Sequence, residues 1–274
     1  MRSVMVALLA FVFAPSAFAD SWLPASATTV PVVNGWAGFY LGGQVGYSSG
    51  DANFSSTTQS PIAYALRDTT LESAAAPSDW PVLGTGYHSA AGFGGFVGYN
   101  TQFERLVLGV EANYDQANLS FTAPSSPISR ITSAGSNSYL VNITGSGTAS
   151  SLDYGTLRGR AGWAMGNFLP YAFAGLAIGK SDVNIMATVA GEENPPTTGS
   201  CSSASSPPCT PFSFTGTAGR GNDWMYGFTV GAGLDVALTR NVFLRAEYEY
   251  VQFAPVQGLM VDINTVRLGA AFKF

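Results

Sequence analysis

The chain has 274 residues, of which 11% are charged and 46% hydrophobic, and its formal net charge is −5. Soluble proteins carry about 25% charged residues, so part of this protein's surface is expected to face something other than water. Nucleic-acid binding requires a clustered basic face, and a chain with a net negative charge gives no support for one, so we expect no nucleic-acid partner.

Residues 1–19 have the features of a secretory signal peptide. A basic start, MRS, precedes the apolar run VMVALLAFVF, and Ala17 and Ala19 form an A-x-A cleavage site. The apolar run is too short to span a membrane, which disfavours the alternative of a helical anchor. We predict cleavage after Ala19, a periplasmic leader with little order over residues 20–35, and no membrane-spanning helix beyond it.

The rest of the chain alternates between apolar and polar residues with a period of two, in segments separated by turn-forming residues. The eight predicted strands lie at approximately 36–49, 87–101, 104–116, 152–165, 169–181, 223–238, 241–252 and 263–274. Alternation with period two is typical of β-strands. Helical periodicity is nearly absent.

Short connections alternate strictly with longer ones along this series of strands. The longer connections lie near 50–86, 117–151, 182–222 and, in a shorter form, 253–262. An up-and-down meander places all the short turns at one end and all the long loops at the other, as in bacterial outer-membrane barrels. We therefore predict an all-β fold, an eight-stranded antiparallel up-and-down transmembrane β-barrel over residues 36–274 with long extracellular loops.

In the predicted strands whose register can be assigned, the apolar residues share one face and the interior charges fall on the other. In segment 241–252, for example, Leu244 and Ala246 oppose Arg245. A soluble β-sandwich also alternates, but its polar face would carry many Lys, Glu and Thr residues, whereas this face is mainly Gly. The pattern favours a narrow lumen filled by side chains, the kind of interior that eight strands enclose. Segment 169–181 is apolar on both faces, and its register stays open.

Nine charged residues are predicted to point into the lumen: Glu111, Arg158, Arg160, Asp235, Arg245, Glu247, Glu249, Arg267 and Lys273. Charges held away from bulk water must be paired. The five positive and four negative side chains can form a network that closes the lumen, or they can line a pore or gate. The narrow diameter and the near-neutral sum favour the closed network, with Glu111 as the expected partner of Arg158 and Arg160.

Several stretches in combination resemble a known family. These are WAGFYLGGQVGY, GFGGFVGYNTQ, LGVEANYD, GTLRGRAGWAMGNFLPYAFAGLAIG, GFTVGAGLDVALTRNVFLRAEYEY and VRLGAAFKF. They resemble the small outer-membrane proteins of alphaproteobacteria in the OmpA-like transmembrane barrel superfamily, often labelled "porin family". The resemblance implies the outer membrane of a Gram-negative bacterium, contact with lipid and lipopolysaccharide, and cell-surface exposure. It also implies that Phe272 and Phe274 are the signal read by the barrel-assembly machinery.

The resemblance fixes no molecular activity. Some relatives are described as haem-binding or as surface antigens, but no motif in this chain carries those properties over. A structural and surface-interaction role is the main expectation. A small passive channel is the first alternative, and binding of haem or a host surface by the loops is the second. We expect no cofactor, and a monomer or weak oligomer.

The two cysteines, Cys201 and Cys209, lie in a polar stretch rich in Pro and Ser. Export places them in an oxidising compartment, so we expect them to form a disulfide that closes a small loop. A metal site is disfavoured because there is no other cysteine and the single histidine, His88, is distant in sequence.

The run AGLAIGKS, residues 174–181, matches a permissive P-loop pattern. A P-loop needs a following helix whose N-terminus cradles phosphate, and the sequence DVNIMATVAGEENPP that follows does not start one. We interpret Lys180 and Ser181 as residues at the point where a strand leaves the membrane.

His88 beside Ser89 is a candidate pair for an enzyme acting on lipid A. Nucleophilic catalysis also requires an orienting acid and an oxyanion site, and neither is indicated by the sequence. We interpret His88 as a rim histidine near lipid headgroups and expect no enzyme activity.

Aromatic residues cluster near the predicted strand ends. They are Trp36, Phe39, Tyr40, Phe103, Trp163, Phe168 and Tyr171. Amphipathic rings favour the headgroup region of a membrane, so we predict an interfacial belt that requires no ligand.

Overall fold

The computed structural model describes residues 35–195 and 208–274. Its strands are β1 (Gly38–Asn53), β2 (Thr85–Phe103), β3 (Leu106–Thr122), β4 (Ile128–Ala134), β5 (Asn137–Trp163), β6 (Phe168–Glu193), β7 (Thr210–Ala237), β8 (Val242–Phe253) and β9 (Met260–Lys273). Its helices are α1 (Gln59–Leu66), α2 (Thr70–Ala75) and a 3-10 turn at Pro77–Asp79. None of the helices in these ranges is long and apolar enough to cross a membrane.

Eight of the nine strands close into an antiparallel barrel. Neighbouring strands run in the order β3, β2, β1, β9, β8, β7, β6 and β5, and pairing between β3 and β5 closes the cylinder. Closure matters because lipid offers no water to unpaired backbone N–H and C=O groups, so only a closed sheet satisfies them all. The predicted eight-stranded antiparallel barrel is confirmed.

Alternation along the strands places apolar side chains on the outer wall. Phe39, Leu41 and Val45 of β1 are 62%, 56% and 61% exposed, and Leu268 of β9 is 61% exposed. The residues between them in the sequence turn toward the lumen, where most are buried. The barrel therefore presents an apolar surface to lipid and collects its polar side chains inside.

Strand β6, whose register the sequence leaves open, turns its odd-numbered residues inward. Tyr171 and Phe173 are buried, whereas Leu176 is 69% exposed and Ile178 is 41% exposed. Both faces of β6 are apolar because its inner rings pack against arginines of the neighbouring strand β5.

Three strands continue well beyond the barrel wall. Strands β5, β6 and β7 have 27, 26 and 28 residues, whereas β8 has 12. Register shifts between Ser150 and Asp153, and between Ser181 and Val183, mark the base of this extension. We call the extension the protruding sheet; it consists of β4 with residues 137–150, 183–193 and 210–220.

The protruding sheet differs from the sequence prediction of long loops. The connections predicted near 117–151 and 182–222 are, in the described residues, mostly strand. Their Ser, Thr and Gly content resembles that of loops, and this hid the strands. Thr and other β-branched residues nevertheless suit strands that are half exposed.

The connection predicted near 50–86 also has structure of its own. Residues 54–84, which we call the cap, carry α1, α2 and the 3-10 turn. The cap packs on the inner face of the protruding sheet through a buried apolar cluster: Ile62, Leu66, Leu71 and Val82 against Val141, Ile143, Ala187 and Val189. The cap and the protruding sheet thus form a two-layer element at the end of the barrel with the longer connections.

Candidate functional site

A cluster of charged side chains fills the middle of the barrel lumen. Its arginines are Arg158, Arg160, Arg245 and Arg267, and its carboxylates are Glu111, Asp115, Asp235, Glu247 and Glu249. We call these nine residues the lumen network. All nine lie on the inward faces of their strands and are buried. Four cations and five anions nearly cancel, which is the condition for holding ionised groups away from water.

Arg158 connects three strands across the lumen. It lies directly opposite Glu111 in the β3–β5 register. Its Nη2 atom is 2.6 Å from Glu111 Oε1 and 2.6 Å from Glu247 Oε2, and its Nη1 atom is 3.2 Å from Glu249 Oε1. The ring of Phe173 lies beneath its guanidinium, 3.9 Å from Cζ. One arginine therefore neutralises carboxylates that reach in from opposite walls.

Glu111 is paired with three arginines. Besides Arg158, it contacts Arg160 Nη1 at 3.3 Å and Arg245 Nη1 at 2.8 Å. Tyr40 donates its hydroxyl hydrogen to Glu111 Oε2 at 2.6 Å. Asp235 then links the same two arginines, at 2.6 Å from Arg160 Nη2 and 2.9 Å from Arg245 Nε. The carboxylates are thus held by charge-assisted hydrogen bonds, which are the stronger kind.

Arg267 closes the network on the β9 side. Its guanidinium pairs with Glu249, and its Nη1 atom lies 2.9 Å from Asp115 Oδ2 and 3.7 Å from Glu247 Oε1. Asp115 shares the inner face of β3 with Glu111 but is absent from the predicted set. Its inward parity is readable from the sequence, since it lies four residues after Glu111.

The prediction that Lys273 belongs to the charged lumen residues is wrong, because Lys273 does not contact the lumen network. Its ammonium donates to the carbonyl oxygen of Gly35 at the barrel end where the chain enters β1. Lys273 is the last residue of β9. It therefore lies at the end of the barrel near Gly35, away from the carboxylates in the middle of the lumen, although it is on the inward face of β9 as the sequence predicts.

The aromatic residues divide between the two walls, which corrects the predicted belt in part. Phe39, Phe103, Trp163 and Phe168 are at least half exposed and face outward. Three others are buried inside the barrel: Trp36, Tyr40 and Tyr171. The ring of Tyr171 lies 3.7 Å from Arg160 Cζ. The ring contacts show why inward positions of a charged lumen also carry aromatic residues.

Glycines on the inner face make room for these rings. A Cβ atom at Gly98 would lie 2.3 Å from Tyr40 Oη, whereas a Cβ at Gly95, on the outer face, would meet nothing closer than 3.4 Å. We expect Gly98→Ala to displace Tyr40 from Glu111 and to lower the free energy of unfolding by about 1–3 kcal/mol. The matched variant Gly95→Ala is expected to be neutral. Urea titration of both variants in lipid vesicles measures the difference, and equal stabilities would contradict this packing.

Buried apolar side chains lie on both sides of the network. Toward the cap, buried residues include Phe54, Leu119, Phe121, Phe253 and Ile263. Toward the opposite end, they include Trp36, Val107, Leu169 and Phe243. The network is therefore a polar layer between two apolar layers, and in the described residues side chains from all three layers point into the lumen.

His88 and Ser89 do not form a catalytic pair. His88 points inward, with its ring packed edge-on against Phe121, and its Nδ1 atom accepts the backbone N–H of Ser120 at 3.3 Å. Ser89 lies on the opposite face of β2, where its hydroxyl donates to Ser49 Oγ at 3.0 Å. Consecutive residues of a strand point to opposite faces, so the proximity in sequence does not become proximity in space.

The remaining predicted sites are placed as follows. Lys180 and Ser181 lie within strand β6, next to its register shift; no helix follows them in the described residues. Phe272 and Phe274 face outward at the end of the chain, with ring centroids 5.2 Å apart. The predicted disulfide stays a prediction because Cys201 lies outside the described residues, as do Ala17, Ala19 and the leader up to residue 34.

Comparisons with known proteins agree with this architecture. The family model described as "Outer membrane protein beta-barrel domain" matches residues 5–274. A 22 kDa outer membrane protein of Rhizobium leguminosarum bv. viciae is 27% identical over 250 residues, covering 87% of this chain and 78% of that protein. A 31 kDa outer-membrane immunogenic protein of Brucella melitensis is 27% identical over 297 residues, covering 100% of both chains.

Among solved structures, Ail, the attachment invasion locus protein of Yersinia pestis, is similar over 87% of this chain and 99% of its own, with 14% identity and a TM-score of 0.34. The neisserial surface protein A has 15% identity and a TM-score of 0.35, over 87% of this chain and 98% of its own. From the match to the family model, the chain belongs to the outer-membrane protein β-barrel family of Gram-negative bacteria.

Proposed function

We propose that this protein is a closed outer-membrane barrel with a structural and surface-interaction role. The observation that carries the proposal is the lumen network, which pairs four arginines with five carboxylates across the barrel. A barrel sealed in this way contributes a rigid support in the membrane. Its protruding sheet and cap then form the part available to partners outside the cell.

A small passive channel is the alternative from a different functional class. A channel requires charges that water and ions can reach along a continuous path. The side chains of Arg158 and Glu247 are 1% and 0% exposed, respectively, and apolar layers lie on both sides of them. These observations support the closed barrel over the channel.

Liposome swelling tests the proposal directly. The purified full-length protein is incorporated into liposomes, and swelling is followed in isotonic arabinose, with a general porin as positive control. We expect swelling no faster than that of protein-free liposomes. Swelling whose rate rises with the amount of protein would contradict the closed barrel and support the channel.

Surface binding is supported by the two-layer element of cap and protruding sheet. Its outer strand faces carry exposed hydroxyl side chains, such as Thr188 and Thr215, which lie side by side on β6 and β7 with their Oγ1 atoms 3.1 Å apart. Haem is less well supported as a ligand, because Nδ1 of His88 accepts a backbone hydrogen bond, which leaves the ring proton of a neutral imidazole on Nε2, the other nitrogen that could ligate iron. A polypeptide is a better match to this surface.

Catalysis on lipid A is not supported by the geometry at His88. We expect the masses of lipid A to be unchanged after incubation of lipopolysaccharide with the wild-type protein, and identical to those after incubation with His88→Ala. Mass spectrometry of the lipid A provides the measurement. Loss of an acyl chain with the wild-type protein that disappears in His88→Ala would contradict the non-enzymatic role.

A further inference from the structure

One side of strand β7 is unpaired along the protruding sheet. Strand β7 pairs with β6 from Thr210 onward, but its pairing with β8 begins only at Gly227. Within the described residues, Thr210 to Met225 therefore have a neighbouring strand on one side only. A row of unpaired backbone N–H and C=O groups is a template for the addition of another strand.

Pro211 identifies which residues direct their backbone groups toward this free side. It lies in the paired part of β7, opposite Glu192. Proline has no N–H, so it fits a sheet where that position faces away from the neighbouring strand. The direction alternates along a strand, and the register is regular from Thr210 to Arg220. Ser213, Thr215 and Thr217 therefore direct their N–H groups to the free side.

The orientation of the barrel in the membrane limits which strands can pair with the free edge of β7. Two copies of this barrel in one membrane are inserted in the same sense, so their β7 strands run in the same direction. Antiparallel pairing between them is excluded, and parallel pairing is the less stable arrangement per residue. A polypeptide from outside the cell has no such restriction.

The side chains beside the edge define the chemistry of a matching strand. On the inner side, Phe212 and Phe214 are partly buried beside the apolar cluster under the cap. On the outer side, Ser213, Thr215 and Thr217 are exposed. A strand with alternating apolar and hydroxyl side chains continues both surfaces, because successive side chains point to opposite faces.

Charge at the tip of the protruding sheet indicates where the matching strand carries basic residues. Strand β7 runs from its tip at Thr210 toward the membrane, so an antiparallel partner has its C-terminal end at that tip. Glu192 and Glu193 of β6 lie there, in register with Pro211 and Thr210. Basic residues at the C-terminal end of the partner complement them.

We propose that the free edge of β7 binds an extended segment of an external polypeptide by strand addition. The segment alternates apolar and hydroxyl residues, ends in basic residues and runs antiparallel to β7. This inference rests on the proposed surface role of the barrel and adds to it the place and the chemistry of the contact.

The probe is a fluorescein-labelled peptide of four Thr-Val repeats followed by two lysines, and the full-length protein is held in lipid nanodiscs. Fluorescence anisotropy measures binding. A control peptide replaces two threonines with prolines and cannot add as a strand, and a second control moves the lysines to the N-terminal end. Thr217→Pro removes one donor from the edge without removing a bond to β6, and Thr217→Ala is its matched control.

We expect saturable binding of the probe, affinity lowered about tenfold by Thr217→Pro, and little change in Thr217→Ala. Hydrogen exchange at Ser213, Thr215 and Thr217 is expected to slow when the probe binds. Absence of saturable binding, equal binding of the proline peptide, or protection located on β4 instead would overturn the proposal. If Thr217→Pro lacks the heat-modifiable gel mobility of a folded barrel, Ser213→Pro near the tip takes its place.

The outcomes separate this inference from the proposed closed barrel. Failure of the probe to bind, with liposomes that still do not swell, overturns strand addition alone. Swelling of the liposomes with probe binding intact overturns the closed lumen alone.

Discussion

Arg158→Leu is expected to lower the free energy of unfolding by about 3–5 kcal/mol, the usual cost of removing one partner from a buried ionic pair. The substitution leaves Glu111, Glu247 and Glu249 facing one another with one cation fewer. Leucine also leaves a space beside Phe173, over which the guanidinium stacks. We expect the variant still to insert, because its outer face is unchanged, and to admit water into the lumen.

Urea unfolding in lipid vesicles, followed by tryptophan fluorescence, measures the loss for Arg158→Leu. The control is Arg105→Leu, because Arg105 is exposed in the turn between β2 and β3 and its replacement is expected to change stability by about 0.5 kcal/mol or less. Similar stabilities for the two variants would mean that the lumen network contributes no more than a surface charge.

Leu157→Arg is expected to impair membrane insertion, although it lies next to a natural arginine. Leu157 points outward and is 63% exposed, so its replacement directs a charge into lipid. An arginine facing lipid near the bilayer midplane costs about 2–4 kcal/mol. The lumen network is untouched by this change, so any defect arises from the outer wall.

The rate of insertion of Leu157→Arg into preformed vesicles is read from the heat-modifiable gel shift. Leu157→Ala serves as the control and is expected to insert at close to the wild-type rate. Arg158→Leu replaces an inward charge with an apolar side chain, and Leu157→Arg does the reverse on the outer face. We expect the first variant to insert but to be less stable, and the second to insert slowly. If both variants inserted slowly, the assignment of inner and outer faces in β5 would be incorrect.

The barrel could be predicted from the sequence because its constraint is local. Each strand must present apolar residues to lipid at every second position, and Leu157, Arg158, Gly159 and Arg160 carry that alternation visibly. Glycine fills many inward positions since rings such as Tyr40 must pass close to the opposing backbone. The short turns are also visible in the sequence, because each consists of a few turn-forming residues between two consecutive antiparallel strands.

The rest of the site depends on contacts that no single strand specifies. Tyr171 has the parity of the lumen, but nothing in a segment that is apolar on both faces distinguishes it from a residue of the lipid belt. Its hydroxyl bonds Glu247, which is 76 residues away in sequence. Lys273 presents the opposite case, since its parity is correct but its depth in the barrel removes it from the network. The alternation along a strand predicts whether a side chain faces the lumen or the lipid. Its position along the barrel axis and its contacts depend on how all eight strands assemble.

The two-layer element of cap and protruding sheet was hidden for a different reason. The residues of β5, β6 and β7 in the protruding sheet mix apolar side chains with many Ser, Thr and Gly residues, and they form strands because each pairs with its neighbour. The cap folds because its apolar residues find the inner face of that sheet. The packing of the cap on the protruding sheet therefore cannot be predicted from the local composition of either segment.

Conductance in planar bilayers is the most direct test of the closed lumen. The wild-type protein at neutral pH is predicted to give no stable channel openings, whereas Arg158→Leu, which removes the arginine shared by three carboxylates, is predicted to give measurable conductance. Stable, large conductance from the wild-type protein would contradict the closed lumen.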